Sequence, residues 1–120
     1  MHELSLAMSV MDIVERESRK LNNSNIKALE IEVGDFAGVE LSSFRFSMEA
    51  VVRSSPFDKA EVRIIQLPAV AECNSCGITF NAPSRFCCCP ECKEYGISFV
   101  QGREFRLTAI IFDDKSGEDS

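Results

Sequence analysis

The feature that most constrains this chain is a pair of short cysteine motifs, Cys73-Asn74-Ser75-Cys76 and Cys89-Pro90-Glu91-Cys92, separated by twelve residues. Two residues between cysteines let a tight turn present both sulfurs to one ion. Two such turns complete a tetrahedron of thiolates. Gly77 and Pro90 sit where turns of this kind use those residues. The twelve-residue spacer leaves room for a hairpin and a loop holding Ala82-Pro83-Ser84. Cys73, Cys76, Cys89 and Cys92 are therefore expected to bind one metal ion. A closed shell of four thiolates favours zinc in a structural role, while the same donors also suit iron in a rubredoxin-like site.

Whether these thiols are ligands or disulfides depends on where the chain resides. The start MHELSLAMSV has no basic leader followed by an apolar run, so a secretory signal is not expected. The chain is expected to be cytoplasmic, where thiols stay reduced and cysteines read as ligands first. A redox pair or disulfide framework is the competing reading. The run FCCCPEC adds Cys87 and Cys88, but only Cys89 has the two-residue spacing to Cys92. Cys87 and Cys88 read as inert or packed thiols, with a substitute ligand or an oxidation-sensitive thiol as the other reading.

Around this module the chain has the makings of one modest core. Its 120 residues are 45% hydrophobic, too few for two large cores, so a small second module needs a staple such as a metal. The net charge of −6 argues against a nucleic-acid surface and against adsorption to anionic membranes. The apolar stretches are too short to span a bilayer.

Periodicity supplies the rest. Residues 4–21 form an amphipathic helix, with Leu4, Ala7, Met8, Met11 and Val14 on its apolar stripe, widened by Val10 and Leu21. LNNSN (21–25) stops it. Residues 27–33 alternate as a strand, with Leu29, Ile31 and Val33 on one face and Glu30 and Glu32 on the other. A second helix spans roughly 40–53, with Leu41, Phe44, Met48, Val51 and Val52 together, and SSPFD ends it. Residues 60–67 and 104–112 are strands. The second has two rather apolar faces, which suits a central strand or one covered on both sides. The expected fold is α+β: a three-stranded sheet with two helices on one face, plus an inserted zinc-ribbon-like module. The division is 1–68 with 101–113, a metal-binding module at 69–100, and a disordered acidic tail at 114–120.

The only histidine is His2. A free amino terminus followed by histidine offers three nitrogens: the Met1 α-amine, the deprotonated His2 amide and the His2 imidazole. They close adjacent five- and six-membered rings around one ion, and the Glu3 amide or an outside ligand fills a fourth place. A square plane of nitrogens suits nickel(II) or copper(II), with copper the tighter in raw affinity. A terminal histidine is also commonly a solvated residue without a role, and these residues alone leave both readings open.

The start MHELSLA, the segment EIEVGDFAGVE (30–40), the CNSC and CPEC pairs and the order of elements resemble the HypA/HybF family over roughly residues 1–113. That family comprises nickel metallochaperones of [NiFe]-hydrogenase maturation. The resemblance implies a nickel site at Met1, His2 and Glu3, and zinc held by Cys73, Cys76, Cys89 and Cys92. It implies nickel as cargo, handed on with the maturation GTPase of the pathway to the hydrogenase large subunit, with urease maturation proteins as further partners. A homodimer is left open. Some family members place a second histidine near the zinc module, and this chain has none.

The sequence does not suggest an enzyme. With one terminal histidine no Ser/His/Asp set can form, and there is no glycine-rich phosphate loop. Glu30, Glu32 and Glu61 read as wet strand faces. Two other functions fit the cysteines: a zinc-ribbon adaptor for protein interaction and a rubredoxin-like electron carrier.

Overall fold

The computed structural model describes residues 2–113. Met1 and the tail at 114–120, both assigned roles above, lie outside the described residues. The elements run α1 (Glu3–Leu21), β1 (Ile26–Gly34), α2 (Leu41–Arg53), β2 (Glu61–Leu67), β3 (Val70–Cys73), β4 (Thr79–Asn81), β5 (Ile97–Gln101) and β6 (Phe105–Phe112). The fold is α+β, with one sheet ordered β2-β1-β6 and a second ordered β4-β3-β5. Among the described residues, no helix is long and apolar enough to cross a membrane.

The chain divides into two compact units. One takes residues up to Ile31, Val39–Ile64 and the chain from Leu107; the other takes Glu32–Gly38 and Ile65–Arg106. In the first unit α1 packs on α2. The buried set Ala7, Val10, Met11, Val14, Phe44, Met48 and Val52 joins Leu29 and Ile31 of β1 in its core. On the other side of β1, Glu30 is half-buried and paired with Arg63 of β2 at 3.2 Å, which keeps that face polar.

Two expectations need correction here. The buried face of α1 is turned from the one read off the sequence: Leu4, Met8 and Leu21 are exposed, while Glu3 and Ser18 are buried. Positions 3, 7, 10, 14 and 18 still follow helical spacing. The two polar members are tolerated because each is hydrogen-bonded, Glu3 to the Glu40 amide and Ser18 to the Asn23 carbonyl. Nor is β6 a central strand; β1 is central and β6 lies at the sheet edge. Its residues are at best half-buried, and Thr108 uses its hydroxyl on the Glu30 carbonyl of β1.

The second unit is more than a pair of turns. β3 pairs antiparallel with both β4 and β5, so the strand that carries Cys73 is flanked on both sides. Ala71 and Cys73 of β3 are buried. Phe36 and Phe99 meet edge to face with ring centres 5.4 Å apart, and Arg85 and Arg103 stack over Phe36 and Phe99 respectively. Arg85 also donates to the Phe36 carbonyl, which ties the spacer loop to residues 32–38. Gly34 is fixed by a close approach, because a Cβ there would collide with the Gly102 carbonyl.

Candidate metal centre

Each cysteine motif folds into the same small loop. In the first, the amides of Ser75 and Cys76 both donate to the Cys73 sulfur at 3.4 Å, and the Gly77 amide donates to the Cys73 carbonyl at 2.9 Å. In the second, Glu91 and Cys92 donate to the Cys89 sulfur at 3.4 Å, and Lys93 donates to the Cys89 carbonyl at 2.9 Å. The first cysteine of each loop is anchored through its own amide, Cys73 to the Ile78 carbonyl and Cys89 to the Glu94 carbonyl. The residue after each loop is left-handed, with φ of 84° at Gly77 and 66° at Lys93. Glycine adopts that geometry freely. Lysine does so at a cost, which its ammonium contact with the Pro90 carbonyl partly offsets.

The two loops bring the four sulfurs of Cys73, Cys76, Cys89 and Cys92 within 4.8 Å of one another. Cys73 lies 3.5 Å from Cys92 and Cys76 lies 3.6 Å from Cys89, sulfur to sulfur. A tetrahedral ion with bonds of about 2.3 Å separates its sulfurs by roughly 3.8 Å, so the cluster matches such an ion. Cys73 and Cys89 are buried and Cys76 and Cys92 exposed, so each loop contributes one inner and one outer ligand. Amide donation from Cys76 and then Ser75 lowers the Cys73 thiol to about 6, against burial, which favours the thiolate a metal requires. Cys87 and Cys88 lie outside this group and are half-buried free thiols.

The amino-terminal residues are built differently. His2 precedes α1 as its N-cap, but its side chain makes no capping hydrogen bond and the residue is exposed. Its carbonyl accepts the Leu6 amide at 3.0 Å, so the backbone is held while the imidazole is left to solvent. Glu3 is only 5% exposed. Its carboxylate accepts the Glu40 amide at 3.0 Å, and this hydrogen bond is the main cause that lowers Glu3 to about 2.

The amide that holds Glu3 belongs to Glu40, to which residue spacing assigns no role. Glu40 is the N-cap of α2, and its own carboxylate accepts the Ser43 amide at 2.9 Å and the Ser42 hydroxyl at 2.8 Å. Glu3 thus sits against the electropositive start of α2, where a carboxylate is favoured. The sequence signal was present in Glu40-Leu41-Ser42-Ser43, an acidic residue just before an apolar helical run. Beside this clamp, Leu4 and Phe46 line a shallow groove with Ser42, Ser43 and Ser47. Leu4 is 52% and Phe46 74% exposed.

Comparison with known proteins follows the same outline. The family profile described as hydrogenase/urease nickel incorporation, metallochaperone, HypA matches residues 1–112. The hydrogenase maturation factor HypA of Chlorobaculum parvum is 36% identical over 113 residues, covering 94% of this chain and 100% of that protein. The HypA of Alkalilimnicola ehrlichii is 35% identical with the same coverage. Among solved structures, the solution structure of the Ni metallochaperone HypA from Helicobacter pylori superposes with a TM-score of 0.63 at 23% identity, covering 93% of this chain and 97% of that one. A second solution structure of a HypA protein gives a TM-score of 0.69, also at 23% identity.

Proposed function

Because the chain belongs to the HypA family of hydrogenase/urease nickel-incorporation metallochaperones, we propose that it binds nickel(II) at its own amino terminus and delivers it for hydrogenase maturation. The nickel ligands are the Met1 α-amine, the His2 amide and the His2 imidazole, with the Glu3 amide or a ligand from outside in the fourth place. The observation that carries this reading is the state of His2, whose backbone is fixed at the start of α1 while its imidazole is exposed and unused. The Glu3 carboxylate accepts the Glu40 amide, and in this reading Glu3 contributes to nickel through its backbone amide. In this reading its side chain orients the first turn.

Cys73, Cys76, Cys89 and Cys92 hold zinc, which supplies folding free energy to the module at 69–100. The nickel-binding part is 1–68 with 101–113. The protein is a carrier and not an enzyme, and it works in the cytoplasm with the pathway's maturation GTPase and the hydrogenase large subunit. Urease maturation proteins are the alternative recipients. The groove beside Glu3 gives a partner an apolar surface next to the cargo, through Leu4 and Phe46.

Calorimetry with nickel on zinc-loaded, untagged protein tests this proposal. The parent binds nickel and His2→Ala does not, while zinc content stays equal in both. Equal nickel binding by the variant would overturn the amino-terminal site.

A further inference from the structure

We propose that the vicinal thiols Cys87 and Cys88 form a second soft-ion site, separate from the four-cysteine cluster and suited to monovalent copper. The proposal rests on the placement of these two cysteines on one groove and is independent of the nickel reading.

Three observations carry it. First, both residues are free, half-buried thiols left out of the cluster. Second, both border the same groove of about 560 Å³, walled by Phe80, Pro83, Pro90 and Tyr95. Adjacent residues of a strand point to opposite faces, but residues 87 and 88 lie outside any strand, so the two can serve one space. Third, no third ligand joins them. Among the described residues, the only group of three or more cysteine, histidine or carboxylate donors that could hold an ion is Cys73, Cys76, Cys89 and Cys92.

The donor count selects the chemistry. A structural zinc ion asks for four protein ligands, and a Cys87–Cys88 pair supplies two. A disulfide between neighbours is strained, because Cα atoms across a trans peptide are about 3.8 Å apart and ordinary disulfides need roughly 4.4 Å or more. An ion bridging the sulfurs removes that strain. Metal–sulfur bonds of about 2.3 Å let the two sulfurs stand well beyond a disulfide length. Copper(I) is soft, thiophilic and content with two donors. Uptake is a ligand exchange without redox change: one Cu⁺ and two thiols give a bis-thiolate copper(I) anion and release two protons.

The test uses the full-length, zinc-loaded protein without oxygen, titrated with copper(I) supplied as its acetonitrile complex against a chromophoric copper(I) chelator. Zinc release is followed with a colorimetric zinc indicator. In the parent, the first equivalent of copper binds and zinc is retained. Cys87→Ser and Cys88→Ser each lose the chelate advantage, roughly 100-fold in affinity. The double variant, checked first for one zinc per chain, either leaves copper with the chelator or binds it only by expelling zinc. The proposal is overturned if the first equivalent expels zinc from the parent. It is equally overturned if the double variant binds the first equivalent as tightly as the parent with zinc retained.

Discussion

The cysteine loops and the amino-terminal turn hold their donor groups in opposite ways. At the cysteines the protein spends its hydrogen bonds on the ligands themselves. Four amides point at the sulfurs of Cys73 and Cys89, and the backbone of each loop is closed on itself. At the amino terminus the support goes to the neighbours of the ligand. The His2 carbonyl is anchored and Glu3 is clamped to Glu40, but the imidazole is left unheld. A closed, four-coordinate shell retains its ion and stabilises a fold. An open, partly backbone-derived chelate can be completed, and emptied, by a partner. On the proposed reading, the contrast separates a structural metal from a carried one.

The largest effect that could break this contrast is loss of a cluster ligand. Cys89→Ala should strip zinc and unfold the module at 69–100 while α1 and α2 remain helical. The lost metal free energy is of order 10–16 kcal/mol in zinc-finger peptides. Zinc analysis with two-dimensional amide spectra reads this out. Stoichiometric zinc in the variant would mean that Cys88 or Cys87 replaces the missing thiolate, and that the cluster is less closed than its geometry implies.

Next in size is a change that touches only the open site. Blocking the amino group by acetylation removes one of the three nitrogens and should abolish nickel binding, with zinc content unchanged. Nickel retained at the parent's affinity would move the site away from Met1.

The clamp comes third. Glu3→Gln keeps the shape but loses the anion that faces the start of α2, and should lower the melting midpoint by a few degrees. The folded-state pKa of Glu3 is depressed to about 2. Its contribution is therefore full above the ordinary carboxylate pKa of about 4.3 and is lost as pH falls toward 2. Melting curves of parent and variant should converge across that window. A constant difference down to pH 2 would show that the charge of Glu3 does not matter.

The smallest effect sharpens the likeness between the two cysteine loops. Lys93 occupies the left-handed position that glycine fills at Gly77. Lys93→Gly should relieve strain of about 1 kcal/mol, read as slower zinc loss to a competing chelator. Faster loss would mean that the Lys93 contact with Pro90 outweighs the strain.

How much of this was legible in the sequence differs between the regions in the same way. Ligand spacing alone located the cluster, because a two-residue gap has few geometries that place both sulfurs on one ion. The helices and main strands were also readable, since alternation and helical spacing survive in the residues themselves. The burial of Glu3 was not, because a carboxylate on an apolar stripe is intelligible only once Glu40 is seen across from it. Helical spacing puts Leu4 and Met8 on the apolar stripe, yet both lie exposed. The edge position of β6 was hidden by its apolar second face. The short strands β3, β4 and β5 run three to five residues, too brief for periodicity to register.

The most direct test of the account is X-ray absorption at both metal edges on one sample loaded with zinc and nickel together. The account predicts four sulfurs at about 2.3 Å around zinc and a nickel shell of nitrogen and oxygen with no sulfur. Sulfur scattering in the nickel shell would place the cargo among the cysteines and contradict the division between a structural site and a delivery site.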